Sequence, residues 1–164
     1  MEKQKYTAIV LAAGSGKRMN SKVHKQYLII QDRPVLYYSL KAFEDSAVDE
    51  IVLVVGKGEE KFCRKEIVDK YGISKVKAIV EGGKERYHSV FEGLKQTSDA
   101  DYVLIHDGAR PFVNQDIIRR CMQEVQKYQA CVVGMPVKDT IKIADEEGYA
   151  KQTPDRKNVW MIQT

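Results

Sequence analysis

Five short runs of apolar, mostly β-branched residues recur along this chain, at Ala8–Leu11, Ile51–Val55, Val76–Val80, Tyr102–His106 and Cys131–Val137. Runs of this length without polar alternation fit strands buried on both faces. Helical patterns lie between them. Val35–Phe43 follows Pro34, a good first-turn residue, and Glu59–Tyr71 carries Phe62, Ile67 and Val68. Tyr87, Val90, Phe91 and Leu94 fall at i, i+3, i+4 and i+7, and Ile117, Ile118, Cys121, Met122, Val125 and Tyr128 make a second stripe. This alternation predicts an α/β fold with a mostly parallel sheet and helices on both faces. Ligands of such folds sit at the carboxyl ends of the strands. The length of 164 residues suits a single domain, residues 1–164, with a real core.

Charge and cysteine usage exclude several classes. Lysine and arginine exceed aspartate and glutamate by 27 to 23, a net charge of +4. That is too small an excess for a nucleic-acid binder and is compatible with an anionic small ligand. Cys63, Cys121 and Cys131 show no CxxC spacing, so free thiols in a reducing cytoplasm are the simplest expectation. The basic start followed by Ala8–Ala13 imitates a signal peptide, but Lys17 and Arg18 follow too soon. No stretch has the length of a membrane span.

Between Lys138 and Lys157 the pattern changes to charged residues with Gly148 and Pro154, which reads as a surface excursion, a hairpin arm or a loop. The run Trp160–Thr164 reads as part of another strand, so a further C-terminal portion is expected.

Three stretches fall where strands end. In "VLAAGSGKRMNSKVHKQ" (Val10–Gln26), small residues from Ala12 to Gly16 precede Lys17, Arg18, Lys22 and Lys25. Glycines let backbone amides approach a ligand, and successive free amides bind anions. The dinucleotide and Walker fingerprints both fail, because Met19 and Leu11 stand where glycines are required. What remains is a glycine turn with cations beyond it. It suits a polyphosphate, and equally a tight turn with solvated basic residues. "EGGKERYHSV" places Gly82 and Gly83 after a strand, with Arg86 and Ser89 three apart on the starting helix. "VLIHDGARP" ends an apolar strand in Asp107, followed by Gly108 and Arg110. A carboxylate there suits Mg²⁺ and phosphates, or an ordinary turn. His24, His88 and His106 have no metal-ligand spacing, and no nucleophile-elbow motif is present, so covalent catalysis is not indicated.

Taken in order, "LAAGSGKRM", "KQY", "GGKERYHSVFEGL", "HDGARPF", "PVKDTIK", "DRKNVW" and the terminal "QT" resemble the 2-C-methyl-D-erythritol 4-phosphate cytidylyltransferase family. The resemblance spans essentially the whole chain. It implies a three-layer Rossmann-like fold of the nucleotide-diphospho-sugar transferase type. It also implies a homodimer formed through an arm at residues 136–157, and CMP transfer from CTP to the polyol phosphate with Mg²⁺. By motif, Ala12, Ala13, Gly14, Ser15 and Gly16 would hold the triphosphate, while Arg18 and Lys25 would stabilise the transition state. Gly82, Gly83 and Ser89 would recognise cytidine, and Asp107 would meet the metal. Asp107, Arg110, Thr140, Arg156 and the terminal Thr164 would serve the sugar phosphate. The chemistry agrees: a phosphate acceptor needs no enzyme nucleophile, and the barrier is repulsion between anions, which preorganised cations relieve.

The chain departs from the family pattern at Gly108, and it lacks the "TDD" stretch and late lysine that follow "QT" in the family. Residues 1–164 alone are therefore expected to bind CTP weakly and turn over little. The rival readings are a ribitol-5-phosphate cytidylyltransferase, which tends toward an Ala-Gly-Gly loop, and a non-catalytic nucleotide-binding fragment.

Overall fold

A computed structural model describes residues 3–14 and 23–162. At its centre lies a parallel sheet of four strands: β1 (Tyr6–Ala12), β4 (Glu50–Val55), β5 (Val76–Glu81) and β6 (Tyr102–Asp107), in the order β5–β4–β1–β6. Four of the five apolar runs are these strands. β1 and β4 are almost wholly buried, as strands covered on both faces must be.

One face carries the larger core. Ala8, Val10, Ile51, Leu53 and Val55 pack there against α1 (Val35–Glu44), through Leu36, Leu40 and Phe43. The segment after β4 adds Cys63, Ile67 and Val68; it is one α turn, α2 (Glu60–Cys63), widening into a π turn over Arg64–Asp69. α4 (Gln115–Tyr128) contributes Ile118 and is capped by Asn114, whose side chain accepts from the Ile117 N–H. The opposite face buries Ile9, Val52 and Val54 beneath α3 (Arg86–Leu94). The result is three layers. Among the described residues between β1 and α1 lie a 3₁₀ turn (Lys25–Tyr27) and a hairpin with a two-residue turn, β2 (Ile29–Ile30) with β3 (Arg33–Pro34). Among the described residues no helix is long and apolar enough to cross a membrane.

Two expectations need correction. The run Cys131–Val137 is not a buried parallel strand. It contains only β7 (Gly134–Pro136), which pairs antiparallel with β10 (Trp160–Ile162) outside the main sheet, with Val132, Met135 and Trp160 exposed. Apolar content marks a strand but does not say which sheet it joins. The charged stretch between them is a hairpin arm, built on β8 (Ile143–Ala144) and β9 (Ala150–Gln152).

The second correction concerns α3. Most of its apolar stripe does not face the sheet: Tyr87, Phe91 and Leu94 are exposed and Val90 is half-buried, while Ser89 and Gly93 are buried. The helix lies too close to the sheet for large side chains. A Cβ on Gly93 would stand 2.7 Å from Ile9 Cγ2 and 3.2 Å from Val54 Cγ2. Gly93→Val should therefore destabilise the protein by about 1–3 kcal/mol through overpacking, despite a helix propensity better than glycine's. Urea unfolding measures this; an unchanged midpoint would show that the helix can lift without cost.

Candidate functional site

Three loops leave the sheet at one level. Ala12 pairs with Val55, Val55 with Glu81, and Leu11 with Asp107, so the tips of β1, β5 and β6 form one row. The chain runs from β1 through α1 to β4 on one side. From β5 it crosses through α3 to β6 on the other side, over the opposite face. The connections diverge between β1 and β6, the switch point where open α/β sheets bind ligands.

The first loop begins at Ala12, Ala13 and Gly14. Ser15, Gly16 and Arg18, also assigned to it by sequence, lie outside the described residues. The 3₁₀ turn presents Lys25 to solvent and buries the next side chain, Gln26. Gln26 Nε2 donates to the Ala12 carbonyl at 2.6 Å and to the Gly14 carbonyl at 3.2 Å. The turn is fastened on its other side by Glu59. This carboxylate accepts from the Tyr27 hydroxyl at 2.7 Å and the Gly56 N–H at 3.1 Å, and His24 Nδ1 lies 3.0 Å from it. Burial, reinforced by Cys63 and Glu59, raises the Tyr27 phenol far above its ordinary value. Burial also pushes the Cys63 thiol up to about 11, so it stays protonated and unreactive.

The second loop packs against the first. Gly82 has no room for a side chain, since a Cβ there would lie 2.5 Å from Ala13 Cβ and 2.7 Å from Ser89 Oγ. Ser89 Oγ accepts from the Gly83 N–H at 3.2 Å and donates to the Glu85 carbonyl at 3.3 Å. Glu85 and His88 close a reciprocal capping box at the start of α3. Gly82, Gly83 and Ser89 are therefore brought together, with the serine hydroxyl turned into the loop.

The third loop centres on Asp107. Its Oδ1 accepts from Arg86 Nε and Nη2 at 3.2 and 3.0 Å, and its Oδ2 accepts from Arg110 Nε at 3.0 Å. Buried Ser39 of α1 donates to the Gly108 carbonyl at 3.0 Å and lies 3.2 Å from the Arg110 carbonyl. His106 Nε2 also sits 3.0 Å from the Arg110 carbonyl, which fixes the proton on that nitrogen in the neutral ring.

Thr140 and Arg156 stand elsewhere, on the arm, where Arg156 Nη1 donates to the Lys138 carbonyl at 2.8 Å. Among the described residues they make no hydrogen bond or ion pair with the strand tips. Thr164 lies outside the described residues. Arg86, Gln26, Glu59 and Ser39 were not singled out as site residues from sequence. Arg86 had a signal, its place three residues before Ser89; the others act through contacts that spacing does not reveal.

The donor set suits a hard cation sparingly. Among the described residues no group of three or more His, Cys, Asp or Glu side chains is placed to hold a metal ion. Asp107 offers its carboxylate oxygens at the switch point, at the end of β6 opposite Leu11. That fits Mg²⁺, which takes one or two carboxylates and fills its shell with phosphate oxygens and water.

The family model described as 2-C-methyl-D-erythritol 4-phosphate cytidylyltransferase matches residues 6–164. The chain belongs to that family. Cytidylyltransferases of this family are nucleotidyltransferases, so the chain is of an enzyme class. It is 53% identical over 161 residues to the 2-C-methyl-D-erythritol 4-phosphate cytidylyltransferase of Lachnoclostridium phytofermentans, covering 98% of this chain and 69% of the relative. The same-named protein of Lachnospira eligens is 56% identical over 159 residues, covering 96% of this chain and 70% of that one. Among solved structures, 4-diphosphocytidyl-2C-methyl-D-erythritol synthase from Anaerococcus prevotii superposes with a TM-score of 0.84 at 35% identity. That match covers 98% of this chain and 68% of the other. The fold of this cytidylyltransferase family is thus the expected α/β architecture.

Burial holds the His106 imidazole below its ordinary value of 6.5, outweighing the opposing bond to the Arg110 carbonyl. Between the folded value and 6.5 the unfolded chain binds more protons, so stability rises with pH across that window and is complete above it. Denaturant unfolding at about pH 5 and about pH 7.5 should show this gain, and His106→Gln should remove part of it. Parallel pH profiles for the two proteins would contradict the assignment.

Proposed function

We propose that this chain transfers CMP from CTP to 2-C-methyl-D-erythritol 4-phosphate in isoprenoid precursor synthesis, releasing pyrophosphate. The observation that carries the reading is the convergence of the three family motifs on one row of strand tips. A phosphate oxygen of the acceptor attacks the α-phosphorus of CTP. The bond from that phosphorus to the bridging oxygen breaks, and pyrophosphate leaves with the electron pair. The acceptor is already an anion, so no general base is required; the task is to hold two anions together and to stabilise charge on the transferring group.

In this reading the backbone of Ala12–Gly16 cradles the triphosphate. Gly82 and Gly83 admit the cytosine edge, and Ser89 shapes that loop from within. Lys25 and Arg18 stabilise the charge that develops at the α-phosphate. Asp107 would hold Mg²⁺, which offsets phosphate charge when bound. Arg110, Thr140 and Arg156, with Thr164, orient the acceptor, and Arg86 enters this group through its pairing with Asp107. The arm at 136–157 joins two copies, so that Arg156 serves the partner's site in a cytoplasmic homodimer. Exposed Tyr149 and Ile143 on the hairpin support that role for the arm.

Binding and turnover test the reading together. Calorimetry should show CTP bound in preference to UTP, ATP and GTP. Pyrophosphate release, at whatever rate the chain sustains, should require 2-C-methyl-D-erythritol 4-phosphate rather than ribitol 5-phosphate. Lys25→Ala and Arg18→Ala should each lower single-turnover release on the order of 10²–10³-fold while changing CTP affinity far less. Indifference among the nucleotides, or release with ribitol 5-phosphate instead, would overturn the proposal.

A further inference from the structure

Gln26 is a buried polar side chain, 1% exposed, that sequence reasoning passes over as a neighbour of Lys25. Burying a carboxamide is costly unless its donors are used. Both Nε2 hydrogens are used, on the carbonyls of Ala12 and Gly14. In a planar trans peptide the C=O and the following N–H point in opposite directions. Turning the Ala12 carbonyl onto Gln26 therefore fixes the Ala13 N–H away from it. The same nitrogen also holds the Gly14 carbonyl, so the chain is pinned at both ends of Ala12–Gly14.

We propose that Gln26 is a positioning residue for Ala12–Gly14, aiming the Ala13 backbone amide at the phosphates of the nucleotide. The inference rests on the reading of Ala12–Gly16 as the triphosphate loop. The lever has a fixed support. Gln26 sits in the middle of the Lys25–Tyr27 turn, and Glu59 grips both flanks of that turn through Tyr27 and His24. Glu59 is itself tied to the end of β4 through the Gly56 N–H. The same short turn presents Lys25 on its outer side. Loop amides and lysine are thus held as one unit, referenced to the sheet. Packing alone does not explain the residue, since methionine fills a similar volume without the two donors.

The test compares CTP with cytidine, which shares the base and sugar but lacks the phosphates. Affinities for both are measured by calorimetry on the wild-type chain, on Gln26→Met and on Glu59→Gln, each with a thermal melt. Gln26→Met should weaken CTP roughly tenfold to a hundredfold, the size expected when one or two N–H contacts to a charged group are lost. Cytidine should change by less than about threefold. Glu59→Gln keeps Gln26 but loosens its support, and should show the same phosphate-selective loss in smaller measure. If Gln26→Met fails to melt cooperatively, Glu59→Gln decides the outcome. Equal weakening of CTP and cytidine in the deciding variant would make the role merely structural, and unchanged CTP affinity would remove it. A wild-type chain that binds cytidine as tightly as CTP would overturn the triphosphate reading, and this inference with it.

Discussion

A single close approach sets the dimensions of the site: Gly82, at the end of β5, lies against Ala13, at the end of β1, with 2.5 Å between Ala13 Cβ and the place a Gly82 Cβ would occupy. Two strands separated by β4 would ordinarily leave their loops apart. Here they meet because α3 lies low on the sheet, seated by Gly93 on Ile9 and Val54, and carries Ser89 into the second loop. The small side chains at Ala13, Gly82 and Ser89 follow from this one requirement. The first two loops present backbone more than side chains, and backbone amides suit a ligand rich in phosphate oxygens.

The third loop works by charge instead. Asp107 is gripped by two guanidiniums, with side chains about half exposed for Arg86 and Arg110. Half-exposed ion pairs contribute little to stability, so this cluster exchanges partners cheaply when a charged ligand enters. Its frame is firmer than its charges: Ser39 and His106 fasten the Gly108 and Arg110 carbonyls from the core side. Rigid backbone beneath replaceable ion pairs is an arrangement that favours an exchange of anions over permanent salt bridges.

How much of this was legible in the sequence depends on the range of the interactions involved. β1, β4, β5 and β6 were readable because a strand covered on both faces needs an unbroken apolar run. The three loops were readable because they stand where those runs end. The face of α3 was not, because the i, i+3, i+4 rule assumes that the large residues face inward, whereas here close packing demands Ser89 and Gly93 there. The sheet that the strand within Cys131–Val137 joins was not legible, since its antiparallel partner, Trp160–Ile162, lies 24–28 residues on. Gln26 and Glu59 carry no local signature at all. Their importance comes from bonds across 12–14 and 32–35 residues, which only the fold brings together.

The central claim is that the nucleotide is gripped at the tips of β1, β5 and β6. An apolar cleft lined by Tyr6, Ala47, Ile118 and Met122 lies near the opposite end of β1 and offers an internal control. A titration of the isotope-labelled chain with CTP, followed by amide chemical shifts, tests the claim directly. The account predicts that the largest shifts fall on Ala13, Gly82, Gly83 and Asp107, with the cleft residues unmoved. Shifts centred on Ile118 and Met122, with the strand tips silent, would contradict it.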